Sequence, residues 1–251
     1  MSRSRSRLRG RNALVLSTLA AATSLLLPST PAAALELSPA GNLPAWTQVL
    51  REDFNGALNT ARWAPYSGTP GGNPYGKWSP KHIEMHGGQA WLHGYREGSQ
   101  FVTAGMILYS HPLTFGKYLV RARFDRGAGI EHVMLLWPTV GWPPELDFTE
   151  GESNGETMAT SHWGAANNQQ HAWTKVDMTQ WHTYGLEWTP TSVAFSIDGR
   201  VFARMTGAAV PKQPMKLAIQ TAATKPVGAP SAATPRDVTL RLEWISIYRR
   251  R

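Results

Sequence analysis

The sequence predicts an all-β fold in which two sheets pack as a sandwich or jelly roll. Three observations support this prediction. Short runs of β-type residues recur along residues 46–251 and are separated by Gly, Pro, Asn or Asp. Asp198-Gly199 lies between two apolar runs, which is the pattern of a tight β-hairpin. After residue 34, no stretch has convincing helical periodicity.

The predicted strands follow one another at spacings typical of a single β domain. In chain order they are Gln89–His93, Gly105–Ser110, Tyr118–Asp125, His132–Pro138, Glu145–Glu150, Thr157–Trp163, Thr183–Trp188, Ser192–Ile197, Arg200–Met205, Met215–Gln220 and Val238–Tyr248. Two other stretches, Asn59–Lys77 and Thr221–Pro235, are rich in turn-forming residues and predict long surface loops. Loops of this length often form the rims of functional sites.

Residues 1–34 predict a secretory signal peptide that is not part of the fold. Five arginines precede an apolar run at Ala13–Leu27, and three alanines at 32–34 are typical of a cleavage site. The alternative is an uncleaved membrane anchor, but the run is shorter than the roughly 20 residues that span a bilayer. We therefore expect a secreted, extracellular protein without stable membrane association after cleavage, with a short arm at 35–45 and one domain at 46–251.

The basic charge does not indicate a nucleic-acid partner. The formal net charge is +8, but five arginines lie in the predicted leader and three more end the chain at 249–251. A nucleic-acid surface needs Lys and Arg clustered on the folded part, and we see no such cluster in the sequence. Cysteine is absent from the chain, so the folded protein must depend on core burial instead of disulfides. We expect a monomer.

Three carboxyl groups are crowded into one short, otherwise apolar strand. Glu145 and Asp147 point to the same face because side chains alternate along a strand, whereas Glu150 should point to the other face. One extra residue in a β-bulge would bring Glu150 to the face of Glu145, and bulges are common beside active sites. Three acids on one face repel one another, which raises at least one pKa. Such a set suits glycoside hydrolysis.

The chain from Trp46 onward resembles glycoside hydrolase family 16, which comprises laminarinases, lichenases and agarase-like enzymes. The stretch Gly-Trp-Pro-Pro-Glu-Leu-Asp-Phe-Thr-Glu at 141–150 is similar to the family signature in its bulged form. Leu-Leu-Trp at 135–137, the stretch at 181–188 and Ile-Asp-Gly at 197–199 resemble flanking family elements in the expected order. The resemblance implies a concanavalin A-like β-jelly roll with a concave substrate cleft.

The resemblance also implies roles for the three acids. Glu145 corresponds to the nucleophile, and Glu150 to the general acid that later serves as the base. Asp147 corresponds to the residue that orients the nucleophile and tunes its ionisation. This is the retaining mechanism, which needs the two reacting carboxyl groups roughly 5–5.5 Å apart. The alternative is an acidic edge strand that guards against aggregation.

Three further residues are candidates for substrate binding. The resemblance places Trp137 and Trp142 beside the sugars nearest the scissile bond, where aromatic faces can stack on sugar rings. His162 resembles a family histidine on the following strand, and we expect it to hydrogen-bond near Glu150. Glu131 and Gln220 are additional candidates for the cleft.

The resemblance predicts an endo-glycosidase that acts on a polysaccharide, most simply a β-1,3- or mixed β-1,3/1,4-glucan. Hydrolysis or transglycosylation of another polysaccharide, such as a galactan or a bacterial exopolysaccharide, is the first alternative. A non-catalytic, lectin-like glycan-binding protein is the second, since the same sandwich serves lectins. A lectin has no use for both Glu145 and Glu150, so the intact acid set favours an enzyme.

Metal chemistry has weaker support in the sequence. His82 and His86 are four residues apart but lie in an irregular or β context, where this spacing does not aim both rings at one ion. We therefore predict no catalytic metal and no required cofactor. The resemblance leaves room for a structural calcium on the convex side, where Glu243 lies near the position of one ligand.

Overall fold

The computed structural model describes residues 41–71, 75–152, 154–224 and 228–251. The predicted signal peptide at 1–34 and the first part of the predicted arm, 35–40, lie outside these residues. The described part contains seventeen strands and two single-turn 3-10 helices, Pro80–His82 and Gly207–Ala209. Within it, no helix is long and apolar enough to cross a membrane.

The strands cover most of the described chain. In order they are β1 (Trp46–Glu52), β2 (Trp63–Pro65), β3 (Gly76–Trp78), β4 (Ile83–Met85), β5 (Ala90–Glu97), β6 (Gln100–Thr103), β7 (Gly105–Leu108), β8 (Gly116–Phe124), β9 (Glu131–Pro138), β10 (Glu145–Gly151), β11 (Glu156–Trp163), β12 (Asn168–Lys175), β13 (His182–Trp188), β14 (Ser192–Ile197), β15 (Arg200–Thr206), β16 (Met215–Ala222) and β17 (Asp237–Arg250). Every strand predicted from the sequence is present.

These strands form two sheets, which confirms the all-β prediction. The larger sheet has ten strands and follows the order β15-β14-β13-β8-β17-β5-β6-β3, with β1 beside β17 and β4 beside β5. The smaller sheet has seven strands in the order β12-β11-β10-β9-β16-β7-β2. Neighbouring described strands are antiparallel except β3 and β6, which run parallel. The strand with three acids, β10, therefore lies inside the smaller sheet, between β9 and β11.

The main core lies between the inner faces of the two sheets. In β8, alternate residues from Tyr118 to Phe124 are buried while their neighbours are only half-buried. β9 is buried on both faces: Met134 and Leu136 belong to the main core, whereas Val133 and Leu135 form a smaller apolar cluster with Ala218 on the opposite face. This second face of the smaller sheet is the one on which the acids lie.

The hairpin predicted at Asp198-Gly199 is confirmed. It joins β14 to β15, with Ile197 opposite Arg200. Asp198 and Gly199 have φ values of 49° and 76°. Two consecutive residues with positive φ match a type I′ turn, whose twist suits antiparallel strands.

The list of predicted strands was incomplete, because it lacked β1, β4, β6 and β12 as well as the short β2 and β3. The stretch Asn59–Lys77, predicted as a loop, contains the three-residue strand β2 and the start of β3. Strands this short give no readable alternation. β12 was not predicted, because it is an edge strand whose residues are mostly exposed and polar. The second predicted loop, Thr221–Pro235, begins with the last two residues of β16, and residues 225–227 lie outside the described part.

Candidate active site

The predicted bulge is present in β10. Against β9, Asp147 is opposite Leu135 and Thr149 is opposite Met134, so one additional residue stands between them. Beyond the bulge, Glu150 is opposite Val133, which faces away from the main core. The bulge therefore restores Glu150 to the face that carries Glu145 and Asp147. We call this outer surface of the smaller sheet the acidic face.

Two buried threonines hold the bulge in place. Leu146 and Phe148 anchor β10 in the main core, where neither is accessible to solvent. The Thr157 hydroxyl accepts a hydrogen bond from the Glu150 backbone N–H at 3.1 Å and lies 3.2 Å from the Glu150 carbonyl oxygen. It is also 2.8 Å from the Thr149 hydroxyl. A side chain of β11 thus satisfies backbone groups that the irregular ladder would leave unpaired.

Trp137, Trp142 and His162 form an aromatic wall at the Glu145 end of the acidic face. The Trp137 and Trp142 rings are stacked, with centroids 6.2 Å apart and an angle of 14° between planes. Both are exposed, at 38% and 45%. The Trp142 ring lies 5.9 Å from that of His162, which is directly opposite Glu145 on β11. Exposed stacked indoles beside a carboxylate offer an apolar surface for a sugar ring.

The pKa values of Glu145 and Asp147 are both raised, as the crowding of acids predicts. Burial is the main cause for Glu145, and the hydrogen bond from Trp142 opposes it. Burial also raises the pKa of Asp147 well above its usual range, and the charges of Glu145 and Glu150 add to this. A hydrogen bond between the two carboxyl groups lowers the pKa of Glu145 and raises that of Asp147. This is the pattern of a protonated Asp147 that donates to an ionised Glu145.

Glu150 is held by a threonine rather than by a histidine. The Thr160 hydroxyl donates to Glu150 Oε2 at 3.1 Å. The same hydroxyl lies 3.1 Å from His171 Nδ1. Because its only proton is used toward Glu150, His171 Nδ1–H is the donor in the second contact. His162 was predicted near Glu150, but its Nε2 lies 3.4 Å from Asp147 Oδ2. Its Nδ1 is 2.8 Å from Asn167 Oδ1. The difference arises because His162 is opposite Glu145, on the other side of the bulge.

Three further residues lie on the acidic face: Tyr66 and Trp173, which were not predicted from the sequence, and Glu131, which was only an additional candidate. Tyr66, from the first predicted loop, packs against the Val133 cluster, and its pKa is raised by burial and by the charge of Glu145. Trp173 of β12 is 59% exposed and is opposite Met158, which in turn is opposite Glu150. Glu131 is the third and is buried. The alternation of β9 identifies Glu131 from the sequence, whereas no local signal identifies Tyr66 or Trp173.

The carboxylate suggested for a calcium ion forms an ion pair. Glu243 is buried, and its Oε2 lies 2.8 Å from Arg121 Nε. A guanidinium thus balances the charge of this carboxylate, and the structural calcium stays a prediction. Within the described residues, one group of three side chains is close enough together to bind a metal ion. It consists of Glu145, Asp147 and His162, whose polar atoms lie within 4.8 Å of one another. These residues belong to the acidic face.

Comparison with known families and proteins finds similar chains. The family model of the glycosyl hydrolases family 16 matches residues 73–245. The endo-1,3-1,4-beta-glycanase ExsH of Rhizobium meliloti is 27% identical over 168 residues, which cover 64% of this chain and 35% of the relative. A glucan endo-1,3-beta-glucosidase of Cryptopygus antarcticus is 26% identical over 192 residues, which cover 63% of this chain and 68% of the relative. The chain thus spans about a third of the rhizobial relative.

Solved structures share the fold. The laminarinase from Rhodothermus marinus superposes with a TM-score of 0.75 at 21% sequence identity, over 82% of this chain and 98% of that one. At this identity the match establishes the jelly-roll architecture, and the chemistry must be argued from the acidic face.

Proposed function

This chain belongs to glycosyl hydrolase family 16, and from that membership we propose that it is a secreted endo-glycosidase that cleaves β-glycosidic bonds of a polysaccharide with retention of configuration. The observation that carries the proposal is the bulge in β10, which brings Glu145, Asp147 and Glu150 to one face. An aggregation guard or a lectin needs neither the bulge nor the threonines that hold it.

In the first step, Glu145 attacks the anomeric carbon as the glycosidic bond breaks, and Glu150 gives its proton to the leaving oxygen. Burial favours the neutral form of Glu145, but the hydrogen bonds from Trp142 and Asp147 favour the carboxylate that attacks. Asp147 neither forms nor breaks a bond in this step. Its role is to donate the hydrogen bond that orients Glu145.

In the second step, water attacks the anomeric carbon of the glycosyl-enzyme. Glu150, now a carboxylate, accepts the proton of this water while Glu145 departs as a carboxylate. Thr160 keeps the Glu150 side chain on the acidic face through its hydrogen bond to Oε2. Two inversions at the same carbon give net retention.

We propose a β-glucan with β-1,3 or mixed β-1,3/1,4 linkages as the substrate, which the names of the two relatives support. Stacked Trp137 and Trp142 stand next to Glu145 and offer a platform to the sugar whose anomeric carbon is attacked. His162, in the same aromatic wall, adds a polar side chain to this subsite.

A panel of polysaccharides tests the proposal, with product sizing and proton NMR of the first anomer released. Laminarin, lichenan, barley glucan, agarose and carrageenan separate glucan from galactan specificity, and sizing separates hydrolysis from transglycosylation. Glu145→Ala and Glu150→Ala should each lower the rate by about 10⁴-fold. Glu156→Ala, at an exposed carboxylate on β11, is the matched control. Binding of a glycan without cleavage by the wild type would identify a lectin instead.

A further inference from the structure

A fourth carboxyl group lies next to the three acids of the signature. Glu131 is the first residue of β9, and Val133, two residues further on the same face, is directly opposite Glu150. Glu131 therefore stands on the acidic face, diagonal to Glu150. Only 6% of its surface is exposed. A carboxyl group buried this deeply needs partners that satisfy its oxygens.

Glu131 has two such partners. The Thr224 hydroxyl donates to Glu131 Oε2 at 2.5 Å. The carboxyl group of Glu150, diagonal to Glu131 on the acidic face, is close enough to raise the pKa of Glu131 through its charge and as a hydrogen-bond acceptor. Two carboxyl groups can form a hydrogen bond only if one of them carries a proton, since an ionised carboxylate has no donor.

The surroundings of Glu131 favour its protonated form. Burial is the largest cause that raises the pKa of Glu131, and the charges of Glu150 and Glu145 add to it; against the opposing hydrogen bond from Thr224, the pKa rises to about 7. Asp147, on β10 like Glu145 and Glu150, also interacts with Glu131. On the other side, Asp125 lines the same small cavity as Glu131, and its negative charge is balanced by Arg241 Nη1 at 2.6 Å. The charged groups of the acidic face around Glu131 are thus all carboxylates.

We propose that Glu131 is a positioning residue that keeps its proton throughout the reaction and donates a hydrogen bond to Glu150 whenever Glu150 is ionised. This role rests on the function proposed above. Glu150 transfers its own proton to the leaving oxygen and later regains one from the attacking water, so Glu131 neither gains nor loses a proton. Its donor fixes the Glu150 carboxylate in the glycosyl-enzyme, where that carboxylate must accept a proton from water.

Paired substitutions at Glu131 separate this role from simple packing. Glu131→Gln keeps a donor in the same place, whereas Glu131→Leu fills similar volume without one. We expect Glu131→Leu to lower kcat by about 10-fold or more, the effect of losing a hydrogen bond to a charged group, with little change in KM. Glu131→Gln should restore most of kcat. Equal losses in both variants, at unchanged thermal stability, would overturn the proposal.

The pH profile gives a second readout that a packing role would not move. In the wild type, ionisation of Glu131 removes the donor and adds a negative charge beside Glu150, so kcat should fall as the pH rises through about 7. Glutamine cannot ionise, so the alkaline limb of the Glu131→Gln profile should move to higher pH. An unchanged limb contradicts the proposal.

Infrared difference spectroscopy tests the carboxyl pair without any substrate. Besides the band of protonated Asp147, which both proteins share, the wild type should show a second protonated-carboxyl band that titrates near neutral pH and is absent from Glu131→Gln. Glu150→Gln should lower the midpoint of this band, because a like charge is removed. If the band behaves in this way but no polysaccharide is cleaved, the proposed function fails while the pair stands. If the enzyme is active but the second band persists in Glu131→Gln, the inference fails alone.

Discussion

The indole N–H of Trp142 donates a hydrogen bond to Glu145 Oε2 at 2.7 Å. This contact links the aromatic wall to the proposed nucleophile, so one residue serves both the sugar platform and the carboxylate. It also lowers the pKa of Glu145, against the effect of burial. Trp137, which is stacked on Trp142, shares the platform. Substitutions of the two tryptophans can therefore separate the role of the sugar platform from that of the hydrogen bond to Glu145.

Trp142→Phe should lower kcat and shift its acid limb, because it removes the N–H donor and keeps an aromatic ring. A hydrogen bond to a charged group contributes about 1.5–3 kcal/mol, so kcat should fall by about 10-fold or more. Without this donor the pKa of Glu145 rises further, and the acid limb of the kcat/KM profile should move to higher pH. Steady-state kinetics across pH measures both effects.

Trp137→Phe is the matched control for this experiment. It alters the same stacked pair but not the hydrogen bond to Glu145, so it should leave the acid limb in place. Identical shifts in the two variants would mean that the platform, and not the indole donor, sets the ionisation of Glu145.

The alternation of side chains along a strand was enough to predict which acids of β10 lie on the acidic face. The parity of Glu145, Asp147 and Glu150 required one extra residue, and the bulge supplies it. Strand parity predicts the face of each acid because Leu146 and Phe148 fix the other face of β10 in the main core.

Contacts between distant segments could not be predicted in this way. Thr224 reaches Glu131 across 93 residues of sequence, from a stretch predicted only as a loop. The same holds for Tyr66, whose position depends on packing against the Val133 cluster. His162 was assigned to the correct strand, but its partner depends on where the bulge shifts the register between β10 and β11.

Thr157→Val should destabilise the protein, because it leaves the Glu150 backbone N–H without its side-chain acceptor. A buried, unsatisfied donor costs about 1–3 kcal/mol, and this loss should appear in the free energy of unfolding measured with urea. Activity should fall as well, since the bulge that positions Glu150 loses its anchor. Thr157→Ser keeps the hydroxyl and should recover most of both losses. A valine variant with wild-type stability would show that the bulge holds without this contact.

Trp173→Ala should weaken binding of long substrates. Trp173 lies on β12 in the same cross-strand row as Met158 and Glu150, and its ring is largely exposed. We predict that it stacks on a sugar beyond the scissile bond on the Glu150 side. KM for a polysaccharide should rise about 5- to 10-fold, as expected for the loss of roughly 1 kcal/mol of aromatic contact.

The length of the substrate provides the control for Trp173. A short aryl glycoside that does not reach β12 should be cleaved by Trp173→Ala with unchanged kcat and KM. Loss of activity on the short substrate would indicate that Trp173 supports the fold of the sheet edge instead of binding sugar.

His132→Leu should make the stability of the protein less sensitive to acid. His132 lies on the core side of β9 with its ring centroid 4.2 Å from that of Phe124, and burial lowers its pKa to about 3. In the unfolded chain the pKa is near 6.5. Below pH 6.5 the unfolded chain thus binds a proton that the folded protein does not, so the free energy of unfolding falls as the pH falls.

Each pH unit below 6.5 should remove about 1.4 kcal/mol of stability through this histidine, down to a pH near 3. Between pH 7.5 and 5, His132→Leu should therefore lose about 2 kcal/mol less than the wild type in urea unfolding. The raised pKa values of Glu131, Glu145 and Asp147 act in the opposite direction, but they are common to both proteins and cancel in the comparison. His86→Leu, at an exposed histidine, should behave like the wild type. If both leucine variants follow the wild-type curve, His132 is accessible to protons in the folded state.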